Sequence, residues 1–126
     1  MRVLVCGSRD YTDFDYIAQV LGKIDRITDL AHGDARGADR LAAAWAGRHP
    51  SIAIYAYPAN WKSLGRGAGP ARNMQMLREF HPDVVIAFKD GFDHTLSRGG
   101  TEHMVKIARA AGVHTIIHDH GTRTTQ

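Results

Sequence analysis

Arginine, glycine and a few carboxylates recur together at four places along this chain, in a combination suited to holding an oxyanion. The groups are Gly7 with Arg9, Gly33 with Arg36 and Gly37, the stretch 65–73, and Arg98 with Gly99 and Gly100. In the third, Gly65, Gly67 and Gly69 alternate with other residues, Arg66 and Arg72 accompany them, and a helix-like pattern starts after Pro70. Glycine lets a ligand approach the main chain closely, and a helix N-terminus presents unpaired N–H donors and partial positive charge. Backbone N–H groups and guanidinium forks both match phosphate oxygens. One such segment alone reads equally well as a flexible surface loop. Ser8, Asp10, Asp39, Asn73 and Thr101 lie inside or beside the four groups and complete the polar inventory.

The elements that must position these groups follow from the apolar pattern. Residues 2–6, 27–32, 52–57, 83–88 and 113–117 read as short buried strands, most of them bounded by glycine or proline. Helical periodicity fills 13–25, with Thr12 expected as its N-cap, then 40–48, the segment after Pro70 up to Pro82, and the segment through Met104, closed by Gly112. Strand and helix alternate, five strands and four helices, which predicts an α/β fold. It is expected to be a Rossmann-like three-layer sandwich around a mainly parallel five-stranded sheet. Residues 1–118 are expected to form one domain and 119–126 a polar tail.

In such a sheet, ligands bind beyond the carboxyl ends of the strands. The first four strands each exit into a polar, glycine-containing segment that brings arginine, whereas the opposite connections are short and ordinary. That asymmetry marks one edge of the sheet as a site. Thr101, near the start of the last helix, suits either a cap or a phosphate oxygen. Trp61, in the segment after the third strand, suits either stacking on a base or packing over the loop. Trp45, in an alanine-rich helix, is expected in the core.

Several classes are disfavoured. Gly-Lys-Ser/Thr of a Walker loop is absent, and Gly7-Ser8-Arg9-Asp10 lacks the further glycines of a dinucleotide fingerprint. The lone cysteine, Cys6, cannot form an intramolecular disulfide; it ends an apolar strand and reads as a buried residue, which fits a cytoplasmic setting. His114, His118 and His120 lack the cysteine partners or helical spacing of a metal site, so neither a metal nor a cofactor is expected. His32 and His103 fall near the expected site, whereas His49, His81 and His94 read as solvated loop residues. No apolar run is long enough for a membrane span. The net charge of +3 permits anionic ligands without demanding nucleic acid.

Gly7-Ser8-Arg9-Asp10, residues 33–39, Gly65-Arg66 with Gly69-Pro70 and Arg72-Asn73, and Gly99-Gly100-Thr101 together resemble the SLOG superfamily, in its small YspA-like, cpYpsA-related branch. The resemblance implies a Rossmann-like domain that binds nucleotides or nucleotide-derived molecules, often in defence or phage contexts, with a homo-oligomer as a possible assembly. More distant kin are the Lonely Guy phosphoribohydrolases and DNA-processing protein A. By the first of these, Arg72 matches a catalytic arginine, while the position of the family's glutamate holds Met104 and the nearest carboxylate is Glu102.

Three readings result. The first is a sensor or carrier of a phosphorylated nucleoside-type ligand. Its contacts would be Gly7, Ser8, Arg9, Asp10, Gly33, Arg36, Gly37, Asp39, Trp61, Gly67, Gly69, Arg72, Asn73, Gly99, Gly100 and Thr101. The second is an N-glycosidic hydrolase or transferase using Glu102 and Arg72. The third is a single-stranded nucleic-acid binder; Asp10, Asp34, Asp39 and Asp90 among the arginines dilute the basic face that it needs.

Overall fold

The computed structural model describes residues 1–96 and 99–119. The expected Arg98 and His120, and the tail from 120 onward, lie outside the described residues. Five strands form one sheet: β1 (Arg2–Gly7), β2 (Asp29–His32), β3 (Ala53–Ala56), β4 (Val84–Phe88) and β5 (His114–His118). The sheet order is β3-β2-β1-β4-β5 and every pairing is parallel. The helices are α1 (Phe14–Gly22), α2 (Ala38–Ala46), α3 (Trp61–Leu64), α4 (Ala68–Phe80) and α5 (Gly100–Ala110), with a 3-10 turn at Gly65–Gly67. The three-layer α/β architecture is thus the expected one.

The alternation of side chains along a strand sorts the core into two slabs. Val3, Val5, Leu30, Ile86 and Phe88 pack with Ile17 and Leu21 of α1 and Ala42 and Trp45 of α2. Leu4, Cys6, Ala31, Val85 and Ala87 face the other way, onto Met76 and Phe80 of α4 and Met104, Val105 and Ala108 of α5. The chain winds outward from β1 to β3, then returns past the far face to β4 beside β1. Because crossovers keep one hand, reversing the winding direction moves the later helices to the opposite face. The loops leaving β1 and β4 therefore diverge and open a crevice between them.

Four boundaries differ from the sequence pattern. Asp13, not Thr12, caps α1, its Oδ1 accepting from the Tyr16 N–H at 3.0 Å. α2 begins at Ala38 rather than 40, because Gly37, at φ 81°, turns the chain directly into it. The short helix α3 was not expected; Asn60 caps it through the Ser63 N–H at 3.2 Å. Finally, the glycine-rich stretch is not an open loop ahead of Pro70. It is a 3-10 turn running into α4, and Pro70 sits in that helix's first turn, where no intrahelical N–H is required of it.

Candidate functional site

At the carboxyl ends of β1 and β4 lies a cavity of about 600 Å³. Its floor is Cys6, Gly7 and Met76, and its rim carries Ser8, Arg9, Trp61, Arg66, Lys89 and His103. A second cavity of about 590 Å³ opens over the ends of β2 and β3 and is lined by Arg36, Arg40, Asp34, Pro58 and Ala59 among others. Arg9, Ala35, Trp61 and Arg72 line both, so they form the partition between them. On that partition the Arg9 guanidinium lies 5.4 Å from the centre of the Trp61 ring, in cation–π range.

α5 points its N-terminus at the first cavity. Its N-cap is Gly99, at φ 94°, and no side chain caps it. Thr101 stands in the first turn, only 5% exposed, and lines the cavity. Its hydroxyl makes no hydrogen bond among the described residues, so it is not the cap. Here a hydroxyl open to the cavity and a helix N-terminus without a side-chain cap share one wall, a combination matched to an oxyanion.

Arg72 is organised differently from the expectation of a free phosphate ligand. The side chain is 9% exposed, and its guanidinium donates to the Gly33 carbonyl, to the Tyr57 carbonyl at 3.3 Å and, through Nε, to Asn73 Oδ1 at 3.0 Å. It ties the ends of β2 and β3 to α4. Burial pulls its pKa down, partly offset by Asp39, but an arginine remains charged. Asn73 continues the network: its Nδ2 donates to the Gly100 carbonyl at 3.0 Å and meets His103 Nδ1 at 3.2 Å, which fixes the start of α5 against α4.

The glycines divide between packing and conformation. A Cβ on Gly33 would collide with the Arg72 guanidinium, and one on Gly7 with the Phe88 carbonyl and Ala38. Gly37 holds φ 81° against Ser8 and Arg9, whose main chain leaves no room for a side chain. Ser8 accepts the Ala38 N–H at 3.1 Å through its carbonyl, so the β1 exit and the start of α2 are locked together.

Asp39 is 5% exposed and lines the first cavity. One carboxylate oxygen accepts from the Gly33 N–H at 3.0 Å and the Ala35 N–H at 3.3 Å, which shapes the turn after β2. Burial pushes its pKa up to about 6, against the opposing pull of those N–H groups and Arg72. His32, below this turn, accepts the Asp34 N–H at Nδ1 (2.9 Å), and burial holds its pKa below the ordinary value. Burial, reinforced by Asp39, also raises the Cys6 thiol, as suits the inert core residue expected of it.

Glu102 is not on either cavity wall. It is 2% exposed, with both oxygens on Lys89 Nζ at 2.8 and 2.7 Å, and Oε2 also accepts the Asp93 N–H at 3.3 Å. Burial raises its pKa, but the lysine and the N–H groups outweigh burial and leave it lowered. Its place one residue after Thr101 turns it under the β4–α5 connection, so the carboxylate serves Lys89 rather than a ligand.

Of the other expected residues, Ser8, Arg9, Trp61, Gly69, Asn73, Gly99 and Gly100 join the first cavity, while Gly33 and Arg36 join the second. Asp10, Gly37 and Gly67 line neither. The pattern reading missed Lys89 and Arg40, whereas Arg66 and His103, which it set beside the expected site, line the first cavity. Lys89 had a usable signal, as the first residue after the strand beside the switch point. Among the described residues, no group of three histidine, cysteine or carboxylate side chains could hold a metal, and no helix is long and apolar enough to cross a membrane.

A parallel sheet of order 3-2-1-4-5 with a polar cavity where its winding reverses defines the class: a Rossmann-like α/β protein with a candidate site at the topological switch point. The profile of the YspA, cpYpsA-related SLOG family matches residues 1–63, and the chain belongs to that family. It is 34% identical over 120 residues to the Gene 61 protein of Mycobacterium phage D29, covering 89% of this chain and 91% of that protein. No solved structure matches the chain.

Proposed function

We propose that this protein binds a phosphorylated nucleoside-type ligand in the cavity between β1 and β4, as a sensor or carrier. The observation that carries the reading is the pairing of Thr101 and the uncapped α5 N-terminus on that cavity's wall. The phosphate would sit there, within reach of Lys89. Trp61 is 49% exposed on the facing rim and offers a surface on which a base could stack. A volume of about 600 Å³ falls in the range of small-ligand sites. Membership of the SLOG family supports a nucleotide-related role.

N-glycosidic cleavage through Glu102 is not part of this proposal, because a catalytic carboxylate must reach the anomeric carbon and this one is held on Lys89 outside the cavity.

Thermal-shift and native mass-spectrometry titrations with AMP, ADP, ATP and cyclic nucleotides test the reading. Stabilisation by at least one is expected, and Thr101→Val should weaken its binding about tenfold, the value of one charge-assisted hydrogen bond. Absence of any nucleotide binding at millimolar concentration would refute it.

A further inference from the structure

The second cavity has a different character from the first. Four arginines and a single carboxylate, Asp34, contribute to its lining. Arg72 is engaged by carbonyl oxygens, which leaves the guanidinium groups of Arg9, Arg36 and Arg40 to face an occupant. Their ion pairs are loose: Arg36 reaches Asp10 at 3.8 Å and Arg40 reaches Asp34 at 3.7 Å, and all four side chains are well exposed. Such exposed pairs contribute little, so a multiply charged oxyanion can displace them. The first cavity, by contrast, carries Cys6, Met76, Pro70 and the Trp61 ring alongside its polar groups, which suits the uncharged body of a nucleoside.

We propose that the cavity over β2 and β3 is a second oxyanion subsite, and that the ligand class recognised by this fold carries two separated anionic groups. One anionic group sits at the α5 N-terminus and the other at Arg36 and Arg40, with the Arg9–Trp61 partition between them. The two-headed ligand rests on the nucleotide reading of the first cavity, whereas the subsite itself does not. Arg9 belongs to both cavities, so it would be shared by the two anions and couple their binding. Arg40 lines only the second and has a 63% exposed side chain, which makes it the position to perturb without disturbing packing.

Isothermal titrations of the full chain with AMP, adenosine 3′,5′-bisphosphate and inorganic pyrophosphate test the proposal at physiological salt. The bisphosphate should bind about tenfold more tightly than AMP, equivalent to about 1.4 kcal/mol. Arg40→Glu should abolish that advantage while AMP affinity stays within about twofold, and Arg40→Gln should give an intermediate loss. Pyrophosphate should bind the wild-type protein with AMP already present and lose at least about fivefold in affinity with Arg40→Glu. A bisphosphate no tighter than AMP, an advantage insensitive to Arg40, or pyrophosphate that AMP simply displaces would overturn the subsite. Should AMP fail to bind while pyrophosphate still binds in an Arg40-dependent way, the nucleotide reading falls and the subsite stands. Unchanged thermal denaturation of the variants confirms that they are folded.

Discussion

Replacing Asp39 by asparagine should make the protein progressively more stable than wild type as pH rises. Burial holds the folded pKa of Asp39 at about 6, against an ordinary value of 3.8. The folded protein therefore binds a proton that the unfolded chain has already lost across that interval. The stabilising contribution of the protonated form is complete below about pH 3.8 and disappears as pH climbs through about 6. At 1.36 kcal/mol per unit, the ionised carboxylate costs about 3 kcal/mol relative to the protonated one. An asparagine in its place has no such cost. It keeps an oxygen for the Gly33 and Ala35 N–H groups but adds an amide that needs partners, and that offset does not vary with pH. Urea unfolding of both proteins from pH 4 to pH 8 isolates the effect, because other titrating groups cancel in the difference. The stability of the variant relative to wild type should rise by about 2 kcal/mol over that range, since part of the unfolded-state titration is over by pH 4. A difference that stays flat, or falls, would refute the assignment of a destabilising buried carboxylate. The residue also lines the first cavity, where an ionised carboxylate would face any occupant.

Gly33→Ala should cost about 1–3 kcal/mol in the wild-type background, because its Cβ meets the pinned Arg72 guanidinium, and far less when combined with Arg72→Ala; additive effects in urea denaturation would show that the contact does not matter. Glu102→Gln should destabilise by about 1–3 kcal/mol through loss of the Lys89 pair; a stable variant that had lost all ligand response would instead restore Glu102 to the site. Trp61→Ala should weaken AMP binding by about 1 kcal/mol with little change in thermal midpoint, since the indole is half exposed; equal affinity would remove the stacking role.

The sequence by itself was sufficient for the class of fold and for the edge of the sheet at which the polar, glycine-bearing loops gather. Strand-length apolar runs alternating with helical periodicity have few solutions other than a parallel sheet covered on both faces, and the polar, glycine-bearing exits all fell at one end of it. It also marked the glycine- and arginine-bearing loops, because local composition is legible without knowledge of distant contacts. It was silent on α3, whose four residues make too short a period to register, and it misread the glycine stretch, where a 3-10 turn feeds a helix already under way before Pro70.

What only the tertiary structure decided is the partner of each charged side chain. The resemblance to the Lonely Guy phosphoribohydrolases made Arg72 and Glu102 the candidate chemical pair. In the folded protein Arg72 is spent on the Gly33 and Tyr57 carbonyls, and Glu102 on Lys89, thirteen residues away in the chain. Those contacts depend on how α4 and α5 seat against β2 and β4, which no local pattern encodes. The division into two cavities along Arg9 and Trp61 has the same origin, since those residues come from the exits of β1 and β3 and meet across β2. Glycine and arginine in these loops therefore pointed to a candidate anion site, and long-range packing determined which of the arginines are already engaged within the protein.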